Sequence, residues 1–190
     1  TLELTPVELT DEQRALAPQV ADWPAFQGNW EASDAKQVLK NQLLVVGYDA
    51  ESKPALATGV QADKVLDVLY TQGDADADEA QLGPVYDNGD ISVNLWAPTA
   101  QNVDLVVFDA NKTQTSRHTM TEDAETGVWT YTGDASLDRA FYQYEVTVYH
   151  YQTQALDVLT VTDPYSVSLS TNGMYSQFVN LADEDLMPAG

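Results

Sequence analysis

Residues 91–100 read ISVNLWAPTA, from Ile91 to Ala100. Ile91, Val93 and Leu95 alternate with Ser92, Asn94 and Trp96, the period-two pattern of a strand that buries one aliphatic face. Ala97-Pro98 ends the ladder, because proline brings no amide proton to it. Downstream come six more strand-like runs, at Asn102–Asp109, Arg117–Thr121, Val128–Gly133, Phe141–Tyr149, Gln154–Asp163 and Tyr175–Leu181. Turns at 110–112 and 126–127 separate them. In the longest, Tyr142, Tyr144, Val146 and Val148 alternate with Gln143, Glu145 and Thr147, so one face is buried and one is wet. Strands at this regular spacing predict an all-β sandwich of seven strands. The turn-rich crossing Asp163–Gly173 links the last two, its path fixed by Pro164 and Gly173.

Upstream the pattern is mixed. Pro6, Pro18 and Pro24 punctuate residues 1–33, which are expected to be mostly extended apart from a short helix at Asp11–Leu16 with Asp11 as N-cap. Trp23, Phe26 and Trp30 could stack on a ligand, but in a proline-broken segment they are expected to pin it to a neighbouring core. Ser33-Asp34 should cap a helix running to Lys40, and Gln42–Asp49 reads as a buried strand followed by a turn at 51–54. A second helix is expected at Ala62–Tyr70, with Val65, Leu66, Leu69 and Tyr70 as its apolar stripe. This half has too few strands to close a sheet, which suggests the latter part of a domain begun upstream. Residues 73–83, GDADADEAQLG, have little bulk and no period, and mark a boundary. The expected organisation is a partial α+β domain over 1–80, a sandwich over 81–183 and the start of a linker over 184–190. The last ten residues, LADEDLMPAG, hold no closing element and look like a cut end.

With 30 acidic side chains against 8 basic and a formal charge of -22, the chain repels phosphate backbones and anionic headgroups, so nucleic acid is not an expected partner. The absence of cysteine removes disulfides, thiolate metal sites and cysteine nucleophiles. No apolar run approaches the ~20 residues of a membrane span, and Thr1-Leu2-Glu3-Leu4 lacks the basic start of a leader, so the chain is expected to be either cytosolic or mature and excised. Asp74, Asp76 and Asp78 invite a calcium-loop reading. That loop requires Gly at its sixth and Glu at its twelfth position, where Glu79 and Val85 stand, so a solvated linker is the better reading and no metal or cofactor is assigned.

Taken in order, GVQADKVLDVLY, LGPVY, LWAPTAQNVDLVVFD, YEVTVYH, VTDPYSVSLSTNG and YSQFVNL resemble the amino-terminal part of bacterial pullulanases and plant limit dextrinases, debranching enzymes of the α-amylase superfamily. The resemblance runs from about Ala17 to near the end. It implies that residues 1–80 are the latter part of a small amino-terminal domain and that 81–183 form the immunoglobulin-like carbohydrate-binding module of family 48. It also implies a parent enzyme, extracellular or at the cell surface, whose (β/α)8 barrel hydrolyses α-1,6 bonds in pullulan, amylopectin and dextrins with retention. The catalytic carboxylates of such enzymes lie on barrel strands, and a retaining pair stands roughly 5 Å apart, which nothing here specifies. No catalytic residue is therefore expected in this chain, and its partners are the barrel of the parent and α-glucan. Calcium belongs, if anywhere, to the parent.

Glycogen-binding modules of the family use two tryptophans and a lysine. The matching positions fall near Lys112-Thr113, near Leu156-Asp157 and on Glu145, so the chain departs from the pattern at all three. The best surface candidates for sugar are Tyr149 and Tyr151, flanked by His150 and Gln152. Trp96, Trp129 and Tyr131 are expected to pack, His118 and His150 to be surface or strand-packing residues, and Asp163, Pro164, Tyr165 and Asn172 to be architectural, facing the barrel. Two roles follow: a non-catalytic brace for the barrel with at most weak glucan contact, or a self-standing module that targets starch or glycogen.

Overall fold

The computed structural model describes residues 2–72 and 76–187, which form two compact units divided between residues 35 and 36. In the first unit, β1 (Thr5–Val7) pairs antiparallel with β2 (Ala25–Gln27), and α1 (Asp11–Leu16) lies between them in sequence. Thr10, not Asp11, is the N-cap. Its Oγ1 accepts from the Gln13 amide at 3.2 Å, and Gln13 Oε1 accepts from the Thr10 amide at 2.9 Å. A hydroxyl three residues before an amide side chain satisfies two orphan donors at once, which Asp11 is placed one residue too late to do. None of the described residues up to 35 is buried, and Trp23, Phe26 and Trp30 are exposed rather than pinned. Two three-residue strands and one short helix simply have no interior in which to place them.

The helix expected from Ser33 begins one residue earlier, as α2 (Ala32–Val38). Within the second unit β3 (Leu44–Tyr48) and β4 (Pro54–Gly59) make an isolated two-stranded ribbon. The expectation of a buried strand here is wrong: Leu44, Val46 and Tyr48 are exposed, because no second layer covers the ribbon. In α3 (Asp63–Tyr70), Leu66, Leu69 and Tyr70 turn inward while Val65 faces water.

The sandwich has two sheets. One runs β5 (Gly83–Asp87), β6 (Asp90–Trp96), β10 (Val128–Gly133), β9 (Thr121–Asp123). The other runs β12 (Ala155–Val161), β11 (Phe141–His150), β7 (Asn102–Phe108), β8 (Gln114–Thr119), with β13 (Ser176–Gln177) added to β11. The described residues thus hold nine sandwich strands where seven are expected. The additional β5 joins β6 through a two-residue turn, Asn88-Gly89, both at positive φ. The single run at 117–121 divides because the chain changes sheet at buried Met120, whose amide donates to Val103 O. The run at 175–181 forms a strand of two residues only, beyond which Phe178 stacks on Tyr142 at 4.2 Å while its backbone bonds to Ala140 and Arg139 ahead of β11.

Ile91, Val93 and Leu95 are buried as their alternation requires, against Val103, Leu105, Val107, Tyr142, Tyr144 and Phe178. Residues 36–72 attach to this sandwich through charge as well as area. The Lys40 ammonium sits 2.5 Å from both Glu122 oxygens and 5.5 Å from the Trp129 ring centre, and the Lys40 carbonyl accepts from Gln101. Lys36 donates to the carbonyls of Ala124 and Glu125. Both partners of the Lys40–Glu122 pair are largely removed from water. Lys40→Ala should therefore cost about 3 kcal/mol by leaving a desolvated carboxylate uncompensated. Urea unfolding of Lys40→Ala, Glu122→Ala and the double variant checks this, with the double expected to cost less than the sum of the singles.

Candidate carbohydrate-binding site

The candidate tyrosines stand at the end of β11 and the tip of its hairpin with β12. The alternation that turns Tyr144, Val146 and Val148 toward the other sheet sends Tyr149 to the opposite face. The tip, 151–154, closes with Gln154 at positive φ and its amide donating to His150 O. Thr153 Oγ1 donates to Asp157 Oδ2 at 2.6 Å, and His150 Nδ1 lies 3.1 Å from the same oxygen. These two contacts, the Thr153 hydroxyl foremost, hold the Asp157 carboxyl below its ordinary range. The Tyr151 hydroxyl donates to Val60 O at 2.9 Å, tying the tip to the end of the β3–β4 ribbon.

Tyr149 and Tyr151 are brought together, but their rings meet edge to face, with centroids 5.2 Å apart and planes at 82°. They cannot offer two parallel platforms to successive sugars. Tyr151 is 54% exposed and can present one face to a pyranose, while the Tyr149 hydroxyl is buried without a hydrogen-bond partner.

The three positions at which the resemblance implies aromatics and a lysine hold other residues. The Lys112 ammonium lies 3.1 Å above the Phe141 ring centre, beside an edge-to-face pair of Phe108 and Tyr175. Glu145 is bound at both oxygens by Arg117 at 2.6 Å, and Arg117 also reaches Asp104 at 3.2 Å. Leu156 is aliphatic and exposed. None of these positions offers a free aromatic face.

Trp96, Trp129 and Tyr131 pack as expected. Trp96 and Trp129 donate from Nε1 to Thr126 O and Ala97 O, and His118 stacks on Tyr131 at 4.3 Å. Of the acidic triplet, Asp74 lies outside the described residues, and Asp76 accepts the Asp78 amide at 2.8 Å, capping a short turn of 3-10 helix. An open cavity of about 590 Å³ lined by Thr119, Glu122, Asp123 and Tyr131 offers Glu122 already neutralised by Lys40, and Asp123 engaged by the Glu125 amide and Thr126 hydroxyl. It presents no free pair of carboxyls.

Asp163 has a larger part than sequence reading assigns to it. It is buried, and its Oδ2 accepts the hydroxyls of Tyr142 at 2.7 Å and Tyr144 at 3.1 Å. Its Oδ1 accepts the Tyr165 amide, and its own amide donates to Ser176 Oγ. Burial pushes the Asp163 carboxyl above its ordinary value, and burial followed by that carboxyl pushes both phenols far up. The available signal is the two tyrosines on the buried face of β11, whose hydroxyls must find a partner inside the fold.

A raised carboxyl pKa means that the folded chain retains a proton the unfolded chain has released. The stability it contributes is full below about pH 4 and falls as pH rises through the folded value. Asp163→Asn removes that slope. The gap in unfolding free energy between the parent and Asp163→Asn should narrow from pH 4 to pH 7 in denaturant titrations, and a constant gap would contradict it.

The family model of the Pullulanase N2 domain matches residues 1–68, and that of carbohydrate-binding module 48, the isoamylase N-terminal domain, matches 81–166. A pullulanase of Klebsiella pneumoniae is 35% identical over 189 residues, covering all of this chain and 17% of its own length. The chloroplastic pullulanase 1 of Arabidopsis thaliana is 34% identical over 173 residues, covering 91% of this chain and 17% of its own. The crystal structure of Klebsiella pneumoniae pullulanase complexed with maltotriose superposes with a TM-score of 0.93 at 35% identity, over all of this chain and 18% of that one. The chain therefore spans about a sixth of the length of these relatives.

Proposed function

We propose that this chain is the non-catalytic, amino-terminal region of a pullulanase-type debranching enzyme, carrying a carbohydrate-binding module 48; the two family models and the likeness to the pullulanases support this reading. The parent hydrolyses α-1,6 bonds of pullulan, amylopectin and dextrins with retention, on a barrel that this region braces and positions. In this reading residues 1–80 are the latter part of the amino-terminal domain, 81–183 the module and 184–190 the start of the linker. The parent works outside the cell or at its surface, where an acidic chain without cysteine stays soluble.

The observation that carries the bracing role is the apolar surface left on a sandwich whose core is already filled. Leu156, Val158, Val167, Leu169, Met174 and Leu181 are all exposed along the stretch that leads to the chain's exit. Their placement suits burial against another domain. That exit is fixed rather than loose: Arg139 donates to Asp183 at 2.6 Å and Asp185 at 2.9 Å, and its amide to Phe178 O.

Tyr151, buttressed by Tyr149, adds a weak contact to glucan. Electrophoresis of the purified chain through pullulan gels should show slight retardation that Tyr151→Ala diminishes. Incubation with pullulan should release no reducing ends, and their release would overturn the non-catalytic assignment. In the full-length enzyme, Val167→Asp with Leu169→Asp should lower the thermal midpoint by several degrees while leaving the 190-residue chain's own midpoint within about a degree, since both side chains are already in water here.

A further inference from the structure

Trp23 lies outside the module and outside the Tyr149–Tyr151 pair, and it is 69% exposed. Its presentation is fixed by local bonds. The Trp23 amide donates to Val20 O at 3.0 Å, closing a turn that follows Pro18, and Pro24 restricts the backbone on the other side. The Arg14 guanidinium reaches across to the Ala21 carbonyl, two residues before the indole, and lies 3.5 Å from Glu8.

Trp23, Arg14, Glu8 and Asp22 line an open cleft of about 250 Å³ floored by Val7 and Ala25. That is just below the ~300–1,000 Å³ of drug-sized ligand sites, so the cleft suits a single ring. Its chemistry narrows the ligand further. Glu8, 97% exposed, and Asp22 outnumber the one cation of the lining, Arg14, which is already shared with Glu8, so the cleft disfavours anionic ligands. What remains is a flat apolar face beside carboxylate acceptors and guanidinium donors. This set recognises a neutral ring with an apolar face and a hydroxylated rim.

We propose that Trp23 is a sugar-stacking platform, with Glu8, Asp22 and Arg14 as hydrogen-bonding partners of the hydroxyls, and that its ligand is one glucosyl residue of an α-glucan chain. The identity of the sugar rests on the reading of the parent as an α-glucan enzyme; the platform does not. It would give the first unit a glucan contact of its own, separate from the module.

Titration calorimetry or ligand-observed NMR of the 190-residue chain with maltotriose and maltohexaose tests it. Tyr149→Ala/Tyr151→Ala should leave saturable binding in place, and adding Trp23→Ala to that variant should weaken it at least tenfold. Trp23→Tyr should give an intermediate affinity, and Glu8→Gln/Asp22→Asn, which retains the indole, should also weaken binding. Binding unchanged by Trp23→Ala, or no binding to either saccharide by the parent chain, would overturn the proposal. Since Trp23 is exposed, a circular dichroism melt of Trp23→Ala matching the parent separates loss of the platform from loss of the fold. Retention of saccharide binding together with release of reducing ends from pullulan would keep this site and sink the non-catalytic reading, so the two fail separately.

Discussion

The carboxylate of Asp163 is the constraint on which the sandwich depends. Two phenols on the inner face of β11 would be buried without partners but for this one side chain, and each unsatisfied hydroxyl would cost about 1–3 kcal/mol. By accepting both, together with the Tyr165 amide, and donating its own amide to Ser176, Asp163 fastens the central strand to the crossing and to β13. The crossing is thereby held in one path from Pro164 to Gly173. Its apolar side chains, Val167 and Leu169, are presented by a rigid surface rather than a loose loop.

Much of the sandwich was legible because period-two burial is a local property: Ile91, Val93 and Leu95, or Tyr142 and Tyr144, declare their face in the sequence itself. β5 was missed although Asn88-Gly89 marked its hairpin, because GPVYD is short and begins with two residues poor in strand propensity. The division at Met120 could not be read, since a change of sheet leaves the local pattern almost unaltered. The buried strand expected over Gln42–Asp49 fails for the opposite reason. Its residues are strand-like, but burial depends on a second layer that the sequence around it does not supply. The candidate tyrosines were legible as a pair, while the bond from Tyr151 to Val60 joins residues 91 apart and leaves no local trace in the sequence.

Cations are scarce in this chain, and their use bears on function. Lys36 and Lys40 fasten 36–72 to the sandwich, Arg117 neutralises Asp104 and Glu145 on the outer sheet face, Lys112 covers Phe141, and Arg139 holds the exit at Asp183 and Asp185. With 8 basic residues against 30 acidic, most cations are committed to structure. Aromatic faces rather than charges are then what the surface has to offer a neutral polymer, at Tyr151 in the module and at Trp23 in the first unit.

The proposed bracing role would make the stretch from β12 to the exit an interface in the full-length enzyme and open surface in the isolated chain. Amide hydrogen exchange over residues 156–187, measured in both, tests it most directly. If the role is right, exchange around Val158, Val167 and Leu169 slows at least tenfold in the full-length protein, while the core strands β7 and β11 exchange alike in both. Equal exchange over 156–187 in the two proteins would contradict it.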